Sequence, residues 1–185
     1  MQMTDLDRLL ELLLSRSVTR GDFTLSSGRK STFYIDARRT TMSAEGLALI
    51  GSLGVERLVA RAWAPRAVGG LTLGADPVAY AIAAASRNRP PAPVVDAFTI
   101  RKQAKTHGTG RRIEGCFEAG QSVVVVEDVI TTGGSAQEAI AALSAEGAKI
   151  LGVFAVVDRE EGGREVLERA GHAVEALLTA KALGL

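Results

Sequence analysis

The run Val123-Val124-Val125-Val126-Glu127-Asp128-Val129-Ile130-Thr131-Thr132-Gly133-Gly134-Ser135-Ala136 constrains this chain more than any other part of it. Four consecutive β-branched residues favour a strand, and an unbroken apolar run suits a buried one. Two adjacent carboxylates, Glu127 and Asp128, come at its carboxyl end, a turn of small residues follows, and Ala136 to Leu143 reads as a helix start. In open α/β sheets ligands bind beyond the carboxyl ends of the strands, so the acidic pair is expected to face a site. The turn Thr131 to Ser135 offers backbone N–H groups and hydroxyls at a helix N-terminus, which is a cradle for an anion. Carboxylates beside such a cradle suit a ligand that is part sugar and part phosphate.

At 185 residues the chain can bury one sizeable α/β core and is short for two. Its 22 Lys and Arg nearly balance 21 Asp and Glu, so no overall field draws it to nucleic acid or membrane, and any anion site has to be local. The single cysteine, Cys116, rules out an intrachain disulfide and a cysteine-rich metal site, and it agrees with a reducing cytoplasm. Its expected role is packing, since the sequence places no activating partner beside it. The acidic N-terminus is not expected to be a signal peptide, and the apolar runs are much shorter than a membrane span.

Leu6, Leu9, Leu10, Leu13 and Leu14 share one helical face. A second helix is expected from Ser43-Ala44-Glu45 through Val59, and a short strand at Ala67-Val68 running into a turn at Gly69-Gly70. An Ala-rich helix from Pro77 to Arg87 follows, then apolar pieces at Val94-Val95 and Phe98-Thr99-Ile100. Beyond the strand at Val123 and its helix come a strand from Ile150 to Val157, a helix from Glu161 to Ala170 and a short tail. Strands alternating with helices imply a mainly parallel sheet covered on both faces. Gln103 to Glu114 is polar, glycine-dotted and without apolar period, which predicts a flexible loop.

Positive charge gathers in Arg101-Lys102-Gln103-Ala104-Lys105-Thr106-His107-Gly108-Thr109-Gly110-Arg111-Arg112. Alone, this is a solvated loop or an RNA-binding patch, and His107 an ordinary loop histidine. Beside the acidic strand, a cationic loop closing over a charged leaving group would offset charge as a bond breaks. Arg159 follows Asp158 at the end of the next strand. A surface ion pair there is worth little, whereas a guanidinium is suited to two-pronged recognition of a planar carboxylate. No Gly-Lys-Ser/Thr closes the small-residue loop, and no Gly-x-Gly-x-x-Gly occurs, so neither nucleotide-binding signature applies.

The strand, acidic pair and Thr/Gly/Ser loop resemble the phosphoribosyl pyrophosphate (PRPP) motif of the type I phosphoribosyltransferases. That resemblance implies their fold: α/β, a central mainly parallel sheet flanked by helices, a small N-terminal hood of roughly residues 1–40 and a flexible catalytic loop, all in a single domain spanning 1–185. It implies PRPP bound by Glu127, Asp128, Val129, Ile130, Thr131, Thr132, Gly133, Gly134 and Ser135, with the carboxylates on the ribose hydroxyls and the loop on the 5′-phosphate.

The order Arg-Lys-x-x-Lys-x-His-Gly from Arg101 is similar to the catalytic loop of the orotate phosphoribosyltransferase family, as are Phe23 to Ser31, Phe33 to Arg38 and Val156 to Gly163. This implies PRPP contacts from Arg101, Lys102, Lys105 and His107, catalytic roles for Lys105, His107 and Asp128, and orotate contacts from Lys30, Thr131 and Arg159. It further implies transfer of ribose 5-phosphate from PRPP to orotate in pyrimidine (UMP) biosynthesis. Mg²⁺ would be held mainly through PRPP, with no direct protein ligand. The protein would be a cytoplasmic homodimer with the loop shared between subunits. One departure stands out: Gly69 to Asp76, the pyrophosphate loop by position, lacks the lysine many members carry there. Two other readings stay open, a phosphoribosyltransferase for another base such as a purine and a non-catalytic PRPP-sensing regulator; the intact cationic loop argues against the second.

Overall fold

Thr4 and Asp7 cap one another ahead of the first helix, α1 (Asp5–Arg16). The Thr4 hydroxyl accepts from the Asp7 N–H at 3.1 Å, and the Asp7 carboxylate accepts from the Thr4 N–H at 3.1 Å. The helix buries Leu9 and Leu13 completely, while Leu14, at the edge of the apolar face, is 36% exposed. This computed structural model describes residues 3–24, 30–90, 92–103 and 112–185. After α1 come an antiparallel pair, β1 (Val18–Thr24) and β2 (Lys30–Ile35), a single-turn helix α2 (Arg38–Thr41) and the long helix α3 (Ala44–Ala60). The remainder alternates: β3 (Ala67–Leu71), α4 (Ala75–Ser86), β4 (Asp96–Ile100), β5 (Ile113–Gly115), β6 (Ser122–Ile130), α5 (Gly134–Ala145), β7 (Lys149–Asp158), α6 (Gly163–Arg169) and β8 (Val174–Thr179).

Among the described residues the main sheet runs β5-β4-β3-β6-β7-β8, and every neighbouring pair is parallel except β4 with β5. The mainly parallel α/β sheet expected from the alternation is therefore present. Its centre is β6, with Val123 to Val126 all at 0% exposure. Their side chains alternate between two cores. Val124 and Val126 join Ile50, Ile82 and Phe154, whereas Val123 and Val125 join Ala139, Leu143 and Leu167. Burial on both faces is why the run carries no polar alternation. From β3 the chain winds outward to β4, and from β6 it winds the other way to β7 and β8, so a topological switch point lies between β3 and β6.

The structure corrects several sequence expectations. Strand β6 continues through Ile130, so Glu127 and Asp128 lie within its last four residues and not at its terminus. Gly69 and Gly70 belong to β3 and not to the turn after it; without side chains they leave no strand period to read. Ile113 and Glu114, expected in the loop, pair with Ile100 and Thr99 along the open edge of β4. The expected tail contains β8, which completes the opposite edge beside β7. Cys116 is exposed just beyond β5 and not packed. Among the described residues no helix is long and apolar enough to cross a membrane.

Candidate active site

A cleft of about 760 Å³ opens at the switch point. Its floor is the end of β6 and the turn after it, with Glu127, Asp128, Val129, Thr131, Thr132 and Ser135. One wall is the loop after β3, residues 71–74; the other is the end of β2 and the start of α2, with Tyr34, Asp36 and Arg38. Phe23, Thr24, Lys102, Arg159 and Glu161 also line it. Residues from six separate places in the sequence thus converge where an open α/β sheet is expected to hold its ligand.

The anion cradle is a distinct cup of about 270 Å³ at the deep end, lined by residues 129–136 together with Glu127. Gly133 adopts φ +83°, a left-handed conformation that turns the chain from β6 into α5 and that a side chain would strain. No side chain caps α5, so the N–H groups of its first turn remain available to an anion. Ile130 is 2% exposed, and its carbonyl accepts from the Arg159 N–H at 2.9 Å, which ties the cup to the end of β7.

Glu127 is 6% exposed, and its Oε1 has no hydrogen-bond partner. Burial, and secondarily the neighbouring Asp128 charge, pushes its carboxyl up to about 8. Burial also raises Asp128. The N–H groups of Val129 and of Asp128 itself and the Arg38 guanidinium pull it back, and Asp36 adds to the rise. The Asp128 Oδ1 accepts from the Val129 N–H at 2.8 Å. Gly74 presses directly on this carboxylate, since a Cβ built there would stand 2.5 Å from Oδ1. Among the described residues no cluster of three acidic, His or Cys side chains could hold a metal. Two hard oxygen donors with one unfilled carboxylate oxygen do fit a hydrated Mg²⁺ that is bound chiefly through a substrate's phosphates.

Arg159 is the second unusual group. A strand-end arginine beside Asp158 could have formed a surface ion pair with it; it is instead 7% exposed, with its guanidinium carbon 4.8 Å from the centre of the Phe33 ring. Asp158 faces away and accepts from Arg164 Nε at 2.7 Å. Arg159 Nη2 lies 2.7 Å from Glu161 Oε1 without hydrogen-bond alignment, and neither Nε nor Nη2 has a hydrogen-bond partner. Buried guanidinium donors normally find acceptors, so donors left open in a cleft are set to receive one.

The remaining sequence candidates are scattered. Arg101 lines an adjoining recess with Lys102, and its Nε donates to Glu114 at 2.9 Å. Lys30 is not among the residues lining the cleft; it lines a recess that shares Phe23 and Thr24 with it. Tyr34 is four positions further along the strand, about 13 Å at the usual rise. Lys105 and His107 lie outside the described residues. The sequence placed Phe33, Asp36, Arg38, Gly74 and Glu161 within segments similar to the family but gave none of them a role of its own. Their individual roles depend on contacts between distant segments.

A mainly parallel sheet with an acidic pair and an anion cup at its switch point defines the phosphoribosyltransferase class, and the phosphoribosyl transferase domain pattern matches residues 63–172. The orotate phosphoribosyltransferase of Mycobacterium avium is 46% identical over 181 residues, covering 98% of this chain and 97% of that protein. A crystal structure of the Mycobacterium tuberculosis H37Rv orotate phosphoribosyltransferase with Fe(III) dicitrate aligns with a TM-score of 0.85 at 46% identity, covering 98% of this chain and all of the other. The same M. tuberculosis enzyme in complex with PRPP aligns at 0.80 with 42% identity, again over 98% of this chain and all of that one. This chain belongs to the orotate phosphoribosyltransferase family.

Proposed function

We infer that the chain transfers the 5-phosphoribosyl group of PRPP to orotate, giving orotidine 5′-monophosphate and pyrophosphate. The observation that carries this reading is Arg159, a buried guanidinium with unfilled donors in the same cleft as the acidic pair. A cleft for PRPP alone needs the cup and the carboxylates. A second, planar carboxylate is what the extra guanidinium suits, and orotate supplies it.

In this reading the cup at Thr131 to Ser135 binds the 5′-phosphate, and Asp128 and Glu127 accept hydrogen bonds from the ribose hydroxyls. Arg159, held over the Phe33 ring, takes the orotate carboxylate so that N1 faces the anomeric carbon. The N1–C1 bond forms as the C1–O bond to pyrophosphate breaks, through an oxocarbenium-like transition state, and the proton that orotate carried on N1 is released to the pyrophosphate or to water. Lys102 and Arg101 bind phosphate oxygens, while Lys105 and His107 stabilise the leaving group. Mg²⁺, where bound, would supply charge neutralisation for the leaving group, and Asp128 and Glu127 are the residues that would hold it through the substrate. Residues 1–40 act as a hood on a single domain; Leu9, Leu13 and Ile35 share a core with Ile50 and Ile82, which supports that unity. The protein works as a cytoplasmic homodimer, the loop of one subunit completing the site of the other.

The test is loss of orotate absorbance on mixing purified protein, orotate, PRPP and Mg²⁺. PRPP-dependent loss with stoichiometric pyrophosphate release is expected. Inertness toward orotate together with turnover of a purine base would overturn the assignment.

A further inference from the structure

The loop after β3 forms one wall of the cleft but brings no positive charge to it. Residues 69–76 contain neither Lys nor Arg, and Leu73, 57% exposed, stands at the cleft. A diphosphate placed beside this wall draws its cations from neighbouring segments, and Lys102 lines the cleft on one side. Arg38, at the start of α2, lines the same cavity from the facing wall. Its Nε donates to Asp36 Oδ1 at 2.8 Å, and its terminal amino groups carry no hydrogen bond among the described residues. It is close enough to Asp128 for each to favour the charged form of the other.

The ground beneath Arg38 is rigid. Thr40 and Thr41 are fully buried, the Thr40 and Ser17 hydroxyls are 2.7 Å apart, and the Asp36 N–H donates to the Ser17 carbonyl at 2.9 Å. An ion pair as exposed as Asp36 with Arg38 does little for the fold. What it does is hold the guanidinium through Nε at the cavity wall and keep the terminal amino groups out of that bond. That is the arrangement in which arginine binds phosphate in two-pronged fashion.

We propose that Arg38, oriented by Asp36, binds the diphosphate of PRPP in place of the lysine absent from the loop at 69–76. The proposal rests on the PRPP reading of the cleft.

The test compares calorimetric binding of PRPP, inorganic pyrophosphate and ribose 5-phosphate, each with Mg²⁺, to wild type, Arg38→Ala and Arg38→Lys. Hydrogen bonds to a charged group put the expected rise in Kd for PRPP and pyrophosphate at about tenfold or more in Arg38→Ala. Ribose 5-phosphate, which lacks the diphosphate, should bind unchanged, and Arg38→Lys should recover part of the loss. Unchanged PRPP binding in Arg38→Ala would overturn the proposal, as would equal weakening of all three ligands, the mark of a merely structural role. Wild-type protein that bound none of them would remove the PRPP reading and this proposal together, whereas the other two outcomes overturn only the role of Arg38.

Discussion

Replacing Arg159 by methionine separates orotate recognition from everything else the cleft does. Methionine keeps an unbranched stem against Phe33 and deletes only the guanidinium. The side chain is 6% exposed, so the lost interaction is one made largely away from water, where truncating one partner of a charged pair costs about 2–4 kcal/mol. At about 1.4 kcal/mol per tenfold, the orotate KM should rise between roughly thirtyfold and several hundredfold. The fold should tolerate the change. It loses the cation–π contact with Phe33, worth about 0.5–2 kcal/mol, and the ion pair with Glu161, but it also relieves the burial of a guanidinium whose Nε and Nη2 make no aligned hydrogen bond. These terms oppose, and the melting temperature should move little.

The assay is initial rate against orotate at saturating PRPP, with PRPP binding measured separately by calorimetry. The PRPP Kd should stay within about twofold of wild type, since the cup and the carboxylates are untouched. Equal rises in orotate KM and PRPP Kd would refute the assignment and place Arg159 among general supports of the cleft.

Three further outcomes are expected. Glu127 sits near 8 in the folded protein against 4.5 in the free side chain, so between those values the native state holds a proton that the unfolded chain has released. Its contribution to stability is full below about pH 4.5 and declines by up to about 1.4 kcal/mol per unit as pH rises toward 8. Melts without substrate should therefore show a falling melting temperature from pH 5 to 8, flattened in Glu127→Gln; parallel curves would sink this account. Gly74→Ala drives a Cβ into the Asp128 carboxylate and should weaken PRPP binding about ten- to a hundredfold, whereas an unchanged Kd would mean that the loop yields instead. Mixed Asp128→Asn and Lys105→Ala proteins, once subunit exchange is verified, should regain about a quarter of wild-type activity if loops are shared, because half the dimers are mixed and each holds one intact site. No recovery would assign each loop to its own subunit.

The sheet was legible because burial leaves a mark on composition. Val123 to Val126 and Val153 to Val157 are buried on both faces, and an unbroken apolar run is how that reads in sequence. The edges left fainter marks: β5 has three residues and β8 a mixed pattern, so both were taken for loop or tail. Within the site, residue types were legible and their environments were not. Glu127 and Asp128 announce two negative charges, but only the packing of β6 beneath the cleft takes Glu127 out of water and leaves it poised to carry a proton. Arg159 was legible as a candidate for a planar carboxylate, but only the fold shows that Arg164 holds Asp158 and that Phe33, from β2, lies against the guanidinium. The spacing from Phe33 to Arg159 carries no period that one chain can disclose. If Arg159 holds orotate as proposed, the seating of β2, which brings Phe33 against the guanidinium, should matter for orotate as much as the arginine itself.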